Sequence, residues 1–191
     1  MGSDNTRNDS PVNRTQKGSF EGGKPGAPLA ELSGEASHPR FRLRILLATG
    51  LGVGYSPVAP GTLGAIVGVG IYCALLPLGA LPITVPLVSV ALFVVGTYLS
   101  FTGERYFREK DCQKIVIDEI ASFPLTMAFL SPDLPRIALA FVLNRAADIL
   151  KPFPAGRIQK LKGGWGVMLD DTVAAIYANL LLRLLILLFK V

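Results

Sequence analysis

From Ile45 through Gly103 the chain carries no Asp, Glu, Lys or Arg, and the next charged residue is Glu104. Few folds accept so long a stretch without a charge. A helix crossing a bilayer needs roughly 20 apolar residues, so the stretch has room for two crossings. It divides at a Pro-bearing turn into TLGAIVGVGIYCALLPLGAL (62–81) and PLVSVALFVVGTYLSF (86–101), with Pro77, Pro82 and Pro86 at the boundary. The second piece is slightly short for a full span. Buried helices of a soluble bundle are the competing reading. Composition favours the membrane, because only 17% of residues are charged, against roughly 25% in soluble domains.

The remaining chain alternates basic and apolar segments. Lys and Arg concentrate in 40–44, 104–114 and 145–162, and the positive-inside rule assigns all three to the cytoplasmic side. Two helices between the first and second clusters, then a hairpin between the second and third, satisfy that rule with one topology. The hairpin arms are IVIDEIASFPLTMAFL and RIALAFVLNRAADILK around the turn SPDLP. A final helix, DDTVAAIYANLLLRLLILLFKV, starts at acids and ends near Lys190, an order that suits the helix dipole. It exits the membrane, or lies at the interface if Arg183 finds no partner. The expected fold is therefore all-α: a multi-helix, membrane-embedded bundle with a helical hairpin and a cytoplasmic-face active site. Residues 1–40, rich in Gly, Ser, Pro and charge, read as a disordered tail before a domain at 41–191.

Acids sit at the ends of these apolar segments. Asp118 lies thirteen residues before Ser131, and Asp148 thirteen after Pro135. Two antiparallel helices would set both roughly 20 Å from the turn, at one level with Glu119. Asn144, Asp148 and Lys151 share a face, and Asp170 and Asp171 open the last helix on the same side. Five carboxylates with no Cys or His nearby suit a hard cation, and Mg²⁺ is the usual choice with phosphate substrates. Arg145 and Lys151 add positive charge for a phosphate, over which the loop of Gly163, Gly164 and Gly166 could close. In ATGLGVGYSPVAPGTLG (48–64) Thr62 is expected to cap the first membrane helix. That helix start also offers N–H groups to a phosphate oxygen.

Several chemistries are excluded. The single histidine, His38, lies in the polar N-terminal segment, and Cys73 and Cys112 have no metal or disulfide spacing. No arginine stands five residues after Cys112, and no Asp-x-Asp nucleophile pair occurs. The glycines of 50–64 lack the acid of a dinucleotide fingerprint and the Gly-Lys-Ser/Thr of a P-loop. The net charge of +5 comes without a nucleic-acid motif, so an anionic phospholipid membrane, and no nucleic acid, is the expected partner.

At these residues the chain resembles the phosphatidylglycerophosphatase A family. The matching pieces are GLGVGYSPVAPGTLGA (50–65), KDCQKIVIDEIAS (110–122), DILKPFPAGRIQKLKGGWGVMLDD (148–171) and TVAAIYANL (172–180). Four motifs in one order make the resemblance specific from about residue 46 onward. The chain departs from the common pattern within 111–119 and at Asn144–Arg145, without touching the acids. The resemblance implies an Mg²⁺-dependent enzyme of the bacterial inner membrane. It would remove the terminal phosphate of phosphatidylglycerophosphate to give phosphatidylglycerol. It directs attention to Asp118, Glu119, Asp148, Asp170 and Asp171 as catalytic acids. Asp118, Glu119, Asp148 and Asp171 are then the expected metal ligands, and Thr62, Arg145 and Lys151 the phosphate-binding residues. A homo-oligomer is left open, and so is the nucleophile, water or an Asp carboxylate. The alternatives are a small transporter or assembly factor, and another metal-dependent phospholipid enzyme such as a phosphatidyltransferase.

Overall fold

The computed structural model describes residues 38–79, 81–161 and 163–189. Among them the chain forms α-helices and no strand: α1 Pro39–Ala48, α2 Pro60–Leu75, α3 Leu81–Phe107, α4 Ile117–Thr126, α5 Leu134–Leu150, α6 Ala155–Ile158 and α7 Gly164–Phe189. Short 3₁₀ turns occupy Val53–Tyr55 and Leu76–Leu78. The expected tail lies outside the described residues except for its last three, of which Pro39 and Arg40 already open α1. Lys162 and Lys190 also lie outside them.

Among the described residues three helices are long and apolar enough to cross a membrane: Pro60–Leu78, α3 and α7. Ile83, Leu87, Val90 and Val94 on α3 stand exposed, as do Leu180, Leu184, Leu187 and Leu188 on α7. Apolar faces of that extent belong against lipid. The second span is not short. Helix α3 has 27 residues, about 40 Å, enough for the hydrocarbon core and both headgroup layers. Pro82 falls in its first turn, where a missing N–H costs nothing, and Pro86 is carried inside the helix.

The hairpin is lopsided. Helix α4 stops at Thr126, and residues 127–133 run irregularly to α5. Pro124 inside α4 removes one helical donor, and α7 supplies partners for the carbonyls beyond. Asn179 Nδ2 donates to Thr126 O (2.7 Å) and Ala128 O (3.0 Å). Arg183 Nη2 donates to Ala128 O (2.9 Å). A helix end buried without such donors would be costly. Arg183 is thereby accommodated along α7.

Short α4 is the hub. Its neighbours approach it through glycines that leave no room for a Cβ: one on Gly64 would lie 2.9 Å from Val116 Cβ, and one on Gly68 2.7 Å from Ile120 O. On α3, Gly103 meets Ile115 in the same way. Small residues at such contacts let membrane helices pack backbone to backbone. Tyr72 and Phe123 close the inner part with an edge-on ring contact at 6.0 Å. The N-terminal ends of α2, α4 and α7 and the C-terminal ends of α3 and α5 thus gather at one end of the bundle.

Candidate active site

Three carboxylates meet at that end. Asp118 and Glu119 occupy the first turn of α4, and Asp171 comes from α7. One oxygen from each lies within 4.8 Å of the other two. Asp148 of α5 stands against Asp171 and Glu119. Its Oδ2 is 2.8 Å from Arg145 Nη1, one turn back on the same helix. Asp170 turns the other way, accepting from Lys151 Nζ at 2.7 Å. The register that puts Asp148 beside Glu119 is set by Asn144, whose Nδ2 donates to Thr126 Oγ1 (2.8 Å) and Ser122 Oγ (3.2 Å) across the α4–α5 contact.

Electrostatics make this a demanding place for charge. Burial, followed by the charges of Glu119 and Asp171, pushes the Asp118 carboxyl well above its usual range. Burial also raises Glu119, with Asp148 adding to it and the Asp118 hydrogen bond and Arg145 opposing. Burial alone would lower Lys151, but the Asp170 carboxylate and its neighbours more than offset that, and the ammonium is held above its ordinary value. Asp118 Oδ1, Glu119 Oε2, Asp170 Oδ1 and Asp171 Oδ2 are all buried without a hydrogen-bond partner. Unpartnered buried carboxylate oxygens are expensive. A hard divalent cation satisfies several at once through oxygen ligands alone, so the donor set fits Mg²⁺.

The residues singled out from sequence arrive here by partly different routes. Thr62 is not a cap: the N-cap of α2 is Ala59, in the left-handed region, and Pro60 leads the helix. Thr62 instead sits in the first turn, where the amides of Gly61 and Thr62 are among those a helix start leaves free. A Cβ on Gly61 would run into Glu119 Oε1 and lie 3.1 Å from Arg145 Nη2, so this helix start abuts the acids and the guanidinium. Helix α7 begins six residues before Asp170, and its first turn holds no acid. The dipole argument for Asp170 and Asp171 therefore fails. Gly163 and Gly164 pack against Phe101 and the Thr97 carbonyl, and Gly166 against Gln159 and Leu161 carbonyls. They seat the start of α7 rather than forming a loop free to close over a phosphate.

Sequence reasoning missed Gly61, Ser122, Thr126 and Glu104. Buried Glu104 accepts from the Asp111 N–H at 3.0 Å. That bond, with the Gln159–Asp111 and Lys110–Lys160 contacts, fastens the segment leading into α4 to the one leading into α7. Ser122 and Thr126 carry an i, i+4 signal that points at Asn144. Gly61 carries none, since any glycine of 50–64 could have been the close one.

Comparison with known proteins identifies relatives of the chain. The model of the family described as phosphatidylglycerophosphatase A matches residues 46–186. A Haemophilus influenzae protein named phosphatidylglycerophosphatase A is 40% identical over 136 residues, covering 70% of this chain and 82% of the relative. An Escherichia coli protein of the same name is 33% identical over 138 residues, covering 69% and 76%. A Bacteroides thetaiotaomicron protein named "Putative phosphatidylinositol-3-phosphatase" is 36% identical over 151 residues, covering 75% and 93%. No solved structure matches.

Proposed function

The chain belongs to the phosphatidylglycerophosphatase A family, and from that premise we propose that it hydrolyses the terminal phosphate of phosphatidylglycerophosphate with Mg²⁺ held by Asp118, Glu119 and Asp171. The observation that carries the metal is the convergence of those three acids with buried, unpartnered oxygens. When bound, the cation supplies positive charge that polarises a phosphoryl oxygen.

The chain's own residues do the rest. The Arg145 guanidinium and the amides of Gly61 and Thr62 receive the remaining phosphate oxygens, an arrangement favoured by a helix N-terminus. Asp148 holds Arg145 in place and ties the anion-binding cation to the metal-holding acids. Lys151, aimed by Asp170, adds a second charged donor beside the same acids. Water adds to phosphorus and gives up one proton, the bond from phosphorus to the glycerol oxygen breaks, and that oxygen takes up a proton in its place. Preorganised charge of this kind favours the dianionic monoester over the internal diester of the same lipid.

We place this chemistry at the cytoplasmic face of a bacterial inner membrane. Arg105, Arg108, Lys110, Lys114, Lys151, Arg157 and Lys160 lie at or beyond the helix ends that gather around the acids, as the positive-inside rule asks. The Bacteroides relative's name supports a second substrate of the same class, a phosphoinositide monoester. The test is phosphate release by purified full-length protein in mixed micelles, with each lipid, with and without Mg²⁺. The proposal expects Mg²⁺-dependent release from phosphatidylglycerophosphate, lost in Asp118→Asn and Asp171→Asn. Release from the phosphoinositide alone would reassign the substrate, and release unaffected by chelation would overturn the metal.

A further inference from the structure

A second charged pocket lies on the other side of α3. Its volume is about 390 Å³ and it is lined by His38, Arg40, Phe41, Arg44, Tyr98, Phe101, Thr102 and Arg105. No acid faces it. The Arg44 guanidinium lies over the Tyr98 ring at 5.2 Å, and Arg40, Arg44 and Arg105 have no carboxylate partner among the described residues. Glu104, next to Arg105, is engaged by the Asp111 N–H. At 3.6 residues per turn, Tyr98, Phe101, Thr102 and Arg105 share one face of α3, roughly 140° from the face of Gly96, Leu99 and Gly103 that packs inward. The pocket shares no residue with the carboxylate site.

We propose that this pocket is a non-catalytic site for the phosphate of an anionic phospholipid headgroup. Three guanidinium groups around one cavity, with no carboxylate partner among the described residues, repel each other, and a phosphate relieves that while accepting several of their N–H donors. The level fits a lipid, because the pocket occupies the last turns of a helix about 40 Å long, where headgroups lie. Tyr98 and Phe101 are exposed just inward of Arg105, in the position of an interfacial aromatic belt. Leu43 and Leu47 of α1, the helix that supplies Arg40 and Arg44, are exposed and offer the acyl chains an apolar path. A free phosphate would use the cations but not this apolar rim. The site stands whether or not the catalytic reading holds.

The test is native mass spectrometry of the full-length protein in detergent, titrated with phosphatidylglycerol or phosphatidylcholine. It compares wild type, Arg44→Gln/Arg105→Gln and Arg44→Lys/Arg105→Lys. Each cation near an anionic lipid is worth about five-fold in affinity, so the Gln pair should retain phosphatidylglycerol roughly 25-fold more weakly. The Lys pair should hold it within a few-fold of wild type, and phosphatidylcholine should be retained weakly by all three. Melting curves matching wild type show that the variants fold. Equal phosphatidylglycerol retention by wild type and the Gln pair, or equal retention of the two lipids by wild type, overturns the site. Displacement of the lipid by millimolar inorganic phosphate would make it a free-anion site and overturn the lipid assignment.

Discussion

Gly61→Ala tests whether the start of α2 belongs to the active site. The added methyl lands on Glu119 Oε1 and 3.1 Å from Arg145 Nη2. Both are ends of side chains, so they can swing away, but only by leaving the geometry that groups Glu119 with Asp118 and Asp171. Stability should not fall. Gly61 is helical with an ordinary φ, and alanine in a helix gains up to about 1 kcal/mol over glycine. Displacing one acid of a metal set, or its neighbour, typically costs roughly 10–100-fold in metal affinity or activity. The control is Gly70→Ala on the same helix, where a Cβ meets nothing within 4 Å. The assay is phosphate release against Mg²⁺ concentration, with thermal melts alongside. Gly61→Ala should raise the half-saturating Mg²⁺ by roughly 10-fold or more with an unchanged or higher melting temperature, and Gly70→Ala should behave as wild type. A Gly61→Ala protein with wild-type Mg²⁺ dependence would refute the contact's role.

Three further outcomes follow from the same geometry. Lys151→Met, which leaves Asp170 without its 2.7 Å partner, should lower turnover far more than vesicle binding; equal losses would make Lys151 a surface anchor. Asn144→Leu removes the bridge to Thr126 and Ser122 and should cost about 1–3 kcal/mol in chemical denaturation, with turnover falling as the Arg145–Asp148 register loosens; a stability equal to wild type would sink that account. The raised Asp118 pKa favours the folded, metal-free protein below the unfolded value of about 3.9, and that stability is lost as pH rises through the folded pKa. Metal-free melting temperature should therefore fall with rising pH, and Mg²⁺ should restore most at the alkaline end; a flat profile would contradict the buried charge cluster.

Much of the architecture is written in local pattern. The uncharged run from Ile45 to Gly103 announces two spans because lipid tolerates little else, and acids at segment ends announce a shared face. What pattern does not carry is where neighbours intervene. Helix α4 ends early where Asn179, more than fifty residues away, takes the Thr126 carbonyl and, together with Arg183, the Ala128 carbonyl just beyond it. Helix α7 starts early because Gly163 and Gly164 let it press on Phe101 and Thr97. The adjacent acids Asp170 and Asp171 look equivalent in sequence. Helical rotation of about 100° between neighbours sends one to Lys151 and the other to Asp118. Thr62 has a cap's residue type but sits three places inside the helix, behind Pro60.

The most direct test of the central claim is Mn²⁺ binding to the purified full-length protein, read by electron paramagnetic resonance as loss of the free-ion signal. Mn²⁺ shares the oxygen-ligand preference of Mg²⁺, so Mg²⁺ should compete for the same site. The account predicts saturable binding by wild type that Mg²⁺ displaces. It also predicts loss of that binding in Asp118→Asn and in Asp171→Asn, since the two acids reach one point from different helices. Mn²⁺ binding of wild-type strength in either variant would contradict it.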